Sequence, residues 1–445
     1  LATIILNNGM INAINAASED LEVSNGPGDS STIANVMTGT DIGVNDDDFS
    51  IVLLQDSVLL FSGGVAEGDV SVEGNSVAFL LGTATVGGNL TLADDSELQF
   101  SDMALVEGDI ELDDNAMADF SGGTVEGEVV VAGDATAIFT GGTFEDTIVG
   151  EDNAVIHFVM GTAEDNVEAA DDAVIHISGG EVQGSVESVD DATVSITGGA
   201  FPAIFSDGED LLAEGGTLHV TGGLIGEAGE DGGGSVIATI NGRVTFTGVE
   251  IAGVADGTAP TASFSSRANS VLDLSNVAVG DLSLNATTSG TLNVDNVTAD
   301  EVTASMLGGG TINLNSGEAA SLDVVSEVGS NLNLRVGDFG DMTVALKSMS
   351  VLRVFGDSFT FLGIPVESLP AEGYDPLTGE LFAIGGTLAG VLADGTSFSM
   401  TFSRQFSPPD QAAHIFLVPE LSTAVLGFLA LASFLAGRPR RNRRA

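Results

Sequence analysis

A single apolar position recurs along most of this chain. Phe61, Leu80, Phe100, Phe120, Phe139, Phe158, Ile177 and Ile196 stand 19 or 20 residues apart. Steps of 24, 26 and 28 residues then lead through Val220, Phe246 and Leu274, and the spacing settles at 20 through Val294, Leu314, Leu334 and Val354. A unit of this length cannot close a hydrophobic core alone, but stacked units can. The period therefore constrains the fold more than any other feature of the sequence.

Inside each unit the period is two. Leu59, Ala78, Leu98, Ala118, Ala137, Ile156, Ile175 and Val194 precede the marker by two residues, and the position between is mixed or polar, as at Gln99, Asp119, His157, His176 and Ser195. Such alternation predicts a half-buried strand. Pairs such as Val70/Val72, Ile110/Leu112, Leu282/Leu284, Leu322/Val324 and Met342/Val344 predict a second, shorter strand. Between the two, Ser-Gly-Gly or Thr-Gly-Gly recurs at 62–64, 121–123, 140–142, 178–180, 197–199 and 221–223, where glycine permits the positive φ of a corner.

The expected fold is all-β: a right-handed parallel β-solenoid of about fifteen coils of 19–28 residues, each adding a rung to two or three sheets. Rungs about 4.8 Å apart make this a rod of roughly 70 Å. A leucine-rich repeat has a similar period, but its L-x-x-L-x-L frame is missing.

The repeat occupies residues 51–360. Residues 1–50, with the loop-like stretches SNGPGDSS and NDDDFS, are expected to form an N-terminal cap and an irregular first coil. Residues 361–417 are expected to form a C-terminal cap. Within it, GGTLAGVLADGTSFSMTF (385–402) predicts a hairpin about an Asp-Gly turn, placed to cover the last open sheet edge.

Charge narrows the partners. Residues 1–417 hold six Lys/Arg against 64 Asp/Glu, a net of −58, with no basic residue before Arg243. Nucleic acid is excluded, because binding it requires Lys and Arg to neutralise phosphates. Divalent cations, cationic partners or simple solvation in a saline medium fit better. The chain has no cysteine, so disulfide and thiolate chemistry are absent. The opening LATIILNNG lacks the basic and apolar regions of a signal peptide, and one is expected upstream of Leu1.

Five residues before the marker stand Asp56, Asn75, Asp95, Asn115, Asp134, Asn153, Asp172 and Asp191, with Asp94, Asp113, Asp152, Asp171 and Asp190 beside them. Hard cations seek several oxygen ligands, which makes Asp95, Asp134, Asp172 and Asp191 candidates for a calcium ladder. Turn chemistry accounts for the same column, because Asn and Asp side chains bond nearby backbone, and the calcium nonapeptide G-G-x-G-x-D-x-U-x is missing. Apart from calcium, no cofactor is implied.

The three long units place extra residues at 201–215, 224–236 and 252–268. Arg243 and Arg267 appear there, near Asp207, Glu209, Asp210, Glu227, Glu230 and Asp231. A groove over 201–268 would be the place for the alternative function, a β-helical polysaccharide lyase or glycoside hydrolase. Surface loops are the simpler reading. His157 and His176 fall on successive rungs about 5 Å apart and could hold a metal, but the spacing fixes no third ligand, and a solvent-facing pair is the simpler reading. No motif assigns a catalytic residue.

The chain ends VPELSTAVLGFLALASFLAGRPRRNRRA (418–445). Residues 423–437 are apolar on every face of a helix, though short against the ~20 residues of a full span. Arg438, Arg440, Arg441, Arg443 and Arg444 follow, and would stay on the cytoplasmic side. Pro419-Glu420, the short apolar segment and the terminal arginines together resemble the PEP-CTERM sorting signal of exosortase substrates. That family's usual third residue is proline, where this chain has Leu421. The resemblance implies an exported bacterial protein held transiently in the inner membrane by this tail. It also implies cleavage near Pro419-Glu420 by exosortase-type machinery and delivery to the outer surface or an exopolysaccharide matrix. Joined to a body without catalytic motifs, it leads to an expected structural or adhesive role in that matrix, with exopolysaccharide and divalent cations as possible partners.

Overall fold

All fifteen marker positions fall in one column. In the computed structural model, strand Val58–Ala66 pairs in parallel with Val77–Val86 so that Phe61 lies beside Leu80. The same register continues rung by rung to Val354. The column also runs past both predicted ends, from Ile14 through Val36 to Phe61 and from Val354 to Leu417. The chain is an all-β parallel solenoid with coils of about 20 residues. The structure describes residues 4–6, 11–14, 21–24, 32–36, 41–42, 51–201, 211–222, 224–225, 234–239, 241–248, 250–251, 261–335, 337–370, 372–392, 394–404 and 412–419.

One coil illustrates the rest. Strand Thr136–Phe144 starts in the marker sheet, shifts register at Thr140, and ends in a different sheet beside Thr162 and Ala163. A corner leads to Ile148–Gly150 in the second sheet, paired with Val129–Val131 and Val167–Ala169. A turn then returns the chain to Val155 and the next marker strand. The register shift falls at the Ser/Thr-Gly-Gly corners. There Gly123 has φ +82°, and a Cβ would collide with the Phe100 ring and the Ala104 carbonyl. The third sheet, allowed for in the sequence but not traced to residues there, includes two-residue pieces such as Leu105–Val106, Glu181–Val182 and Ala200–Phe201.

The in-facing columns form one continuous core. Part of it is a stack of phenylalanines. Phe120 and Phe139 lie parallel with centroids 4.7 Å apart, and Phe144 from the third sheet meets Phe139 edge-on at 4.7 Å. Such pairs add about 0.5–1.5 kcal/mol each beyond the area they bury. Four residues before the marker, Ser57, Ser76, Ser96, Ala116, Ala135, Ala154, Ala173 and Ala192 form a column of small, fully buried side chains.

The predicted hairpin is present as Gly385–Leu392 paired antiparallel with Ser397–Arg404. Its second strand does more than cover an edge: Met400 lies beside Met342 in parallel, so it is itself a rung of the second sheet. The core, expected to stop near Val354, gains a further marker strand, His414–Pro419, whose outer edge meets Glu380–Leu381. Val418 and Pro419, expected to belong to the tail, pair with Phe355 and Gly356 in that strand. Arg404 fastens the cap. Its buried guanidinium donates to the Leu381 carbonyl at 2.9 Å, the Ala383 carbonyl at 3.2 Å and the Ala413 carbonyl. Burial lowers its pKa, and Glu380 opposes that shift.

Candidate functional surfaces

The acidic turn column is built around backbone hydrogen bonds. Asp94, Asp114, Asp152, Asp171 and Asp190 adopt φ between 55° and 60°, a conformation Asp tolerates because its side chain bonds locally. Three of their carboxylates accept backbone N–H groups from neighbouring rungs: Gly74 to Asp94 Oδ2 at 3.1 Å, Asp94 to Asp114 Oδ2 at 3.3 Å and Gly133 to Asp152 Oδ2 at 3.3 Å.

One residue further along, Asp and Asn alternate from Asp56 to Asp172. The amides of Asn75 and Asn115 donate to Asp56 Oδ1 at 3.0 Å and Asp95 Oδ1 at 3.2 Å on the preceding rung. Asn115 thus separates Asp95 from Asp134, and Asn153 separates Asp134 from Asp172. Two rungs are about 9.6 Å, too far for one calcium ion with ligands at about 2.3–2.6 Å. Of the four expected calcium ligands, Asp95, Asp134, Asp172 and Asp191, only Asp172 and Asp191 occupy neighbouring rungs. All four are exposed. Among the described residues no three His, Asp or Glu side chains gather where they would hold a metal ion.

A second ladder lies at another corner, just before the second-sheet strand. Asp69, Asn89 and Asp109 each accept, through Oδ1, the backbone N–H of Asn89, Asp109 and Glu128 at 2.8, 2.9 and 3.0 Å. The preceding glycines are required: a Cβ on Gly108 would strike the Asn89 side chain and the Gly88 carbonyl. The sequence trace of this ladder is the run EGDV, GGNL, EGDI, EGEV at 67–70, 87–90, 107–110 and 126–129.

Next to it one column of the second sheet carries Glu111, Glu168 and Glu187, with Val130 and Val149 between the first two. Glu168 and Glu187 are in register on adjacent rungs. Burial first, then Glu187, Glu151 and Glu128, hold the Glu168 carboxyl above its ordinary range. Glu128 is raised by burial, then by Asp146, Asp109, Glu151 and Glu111. The folded state binds these protons more tightly than the unfolded chain, so stability declines as pH rises through the carboxylate range. This face costs stability at neutral pH.

The outward column of the marker sheet has two parts. His157 and His176 stack with ring centroids 5.2 Å apart and planes 18° apart, followed by Ser195 and His219. Further on, Asn293 donates to Asp273 Oδ1, Asn313 to Asn293 Oδ1 and Asn333 to Asn313 Oδ1, each at 2.6 Å. Arginines close both ends of this ladder. Arg243 pairs with Asp273 at 2.6 Å, and Arg353 reaches Asn333 at 3.4 Å.

The remaining basic residues of the body also act within the rod. Arg267 Nε donates to Ser265 Oγ at 3.1 Å, Lys347 pairs with Glu327, and Arg335 lies 4.3 Å over the Phe355 ring. Asp207, Glu209, Asp210, Glu227, Glu230 and Asp231, the acidic half of the expected groove, lie outside the described residues, as do Glu420 and the five terminal arginines. Pro419 is described, and is exposed at the end of the last strand. Among the described residues no helix is long and apolar enough to cross a membrane; residues 423–437 are outside them.

Fold and surface together define the class, an acidic all-β parallel solenoid whose polar columns are hydrogen-bonded ladders. Compared with known proteins, the chain matches no family model, no curated protein and no solved structure.

Proposed function

We propose that this protein is a secreted or surface-displayed structural or adhesive rod of an extracellular polysaccharide matrix, sorted through its C-terminal segment. One observation carries the reading: all six basic side chains before the tail engage groups of the rod itself. A lyase with an arginine or lysine base would need that group held ready beside a cleft, whereas each basic side chain of the body is engaged by the rod. The charged surface keeps such a rod solvated. Recognition by exosortase-type machinery rests on Pro419-Glu420, the apolar run and the arginines. Because Pro419 ends the last strand, cleavage after it would leave the solenoid whole.

Incubation of the purified protein with acidic and neutral polysaccharides, followed by assays for new reducing ends and unsaturated products, tests the absence of catalysis. Retention of the protein by the polysaccharide without either product is the expected result. Release of oligosaccharides would replace this reading with the lyase or hydrolase.

A further inference from the structure

Three of the chain's four histidines, His157, His176 and His219, occupy one outward column of a single sheet. Two of them are immediate rung neighbours, with near-parallel rings 5.2 Å apart. Ile138 and Ser195 flank them in the column. No Lys or Arg precedes Arg243, so this stretch of the rod carries only acidic charge and attracts cations. We propose that His157 and His176 form a two-imidazole site for a borderline transition-metal ion such as Cu²⁺, Ni²⁺ or Zn²⁺, with water completing its coordination.

The geometry needs only ring rotation. Imidazole nitrogens bind such ions at about 2.0–2.1 Å, so two nitrogens on opposite sides of one ion are separated by about 4 Å. Parallel rings 5.2 Å apart approach that separation when each turns about χ2, a broad, soft torsion for histidine. The backbone already holds the two side chains on adjacent rungs, so little order is lost on binding. Nitrogen donors select against calcium and magnesium. The site is therefore distinct from any general attraction of the carboxylates for divalent ions, and it does not depend on the matrix reading above.

Calorimetric titration of the full chain with CuCl₂ and NiCl₂ in millimolar CaCl₂ tests the proposal. One site per chain is expected, tighter for Cu²⁺ than for Ni²⁺ in the usual order of affinities. The variants His157→Gln and His176→Gln should each weaken it at least tenfold, while His219→Gln and His414→Gln leave it unchanged. Unaltered melting of the variants would show that they fold. The Cu²⁺ electron paramagnetic resonance spectrum should carry splitting from two nitrogens, and lose it in either of the first two variants. An oxygen-only spectrum, displacement by calcium, or equal losses in all four variants would overturn the site.

Discussion

Ser96 marks a fault in an otherwise satisfied column. Ser57 Oγ donates to the Val23 carbonyl at 3.0 Å and Ser76 Oγ to the Gln55 carbonyl at 2.6 Å, and the two hydroxyls lie 3.2 Å apart. Ser96 Oγ is as deeply buried but has no hydrogen-bond partner among the described residues. On the following rung the column changes to Ala116 and stays alanine through Ala192. Removing an unpaired buried hydroxyl removes a desolvation cost, whereas removing a paired one forfeits a bond, each about 1 kcal/mol. Ser96→Ala should therefore raise the urea midpoint and Ser76→Ala should lower it. A loss in both would mean that Ser96 is bonded in solution.

Strands with two in-facing residues were legible in the sequence, and those with one were not. Leu98 and Phe100, or Ile110 and Leu112, display alternation by themselves. In many coils the third sheet contributes a single in-facing residue, such as Val125, Phe144 or Ala163, and one apolar residue has no period. The hairpin was readable from its Asp-Gly turn, where Asp394 accepts the Thr396 N–H at 2.8 Å. Its place as a rung beside Asp338–Leu346 was not, because parallel pairing leaves no local mark. The Asp/Asn column was visible as turn residues, but its alternation has meaning only once rungs stack. Converting Asn115 to Asp would set Asp95, the new carboxylate and Asp134 on three consecutive rungs and remove the bond to Asp95. Asn115→Asp should cost about 0.5–1 kcal/mol at low ionic strength, much of it restored by 1 M salt as the Debye length shrinks to about 3 Å. An equal cost at both salt concentrations would assign the effect to the lost hydrogen bond alone.

The whole rod ends later than its repeat implied, and this decides where its tail can be cut. Leu417 is buried in the marker column, Val418 and Pro419 pair with Phe355 and Gly356, and Arg404 holds the Ala413 carbonyl beneath them. A chain stopped at residue 413 would lose this strand and leave the marker edge at Val351–Phe361 open to other molecules. A chain stopped at Pro419 keeps every described contact and loses residues 420–445, which hold Glu420, the apolar run and the arginines. The 1–419 chain should therefore be a soluble, β-rich monomer that melts with the parent, while the 1–413 chain melts earlier and aggregates. On the sorting reading proposed above, the 1–419 chain expressed in the native host should appear in the medium instead of remaining with the envelope or matrix. The two halves of the prediction fail separately. Early melting of the 1–419 chain would make the tail part of the fold. Normal melting with unchanged location would leave the fold intact and remove the sorting role from Glu420 and the terminal arginines.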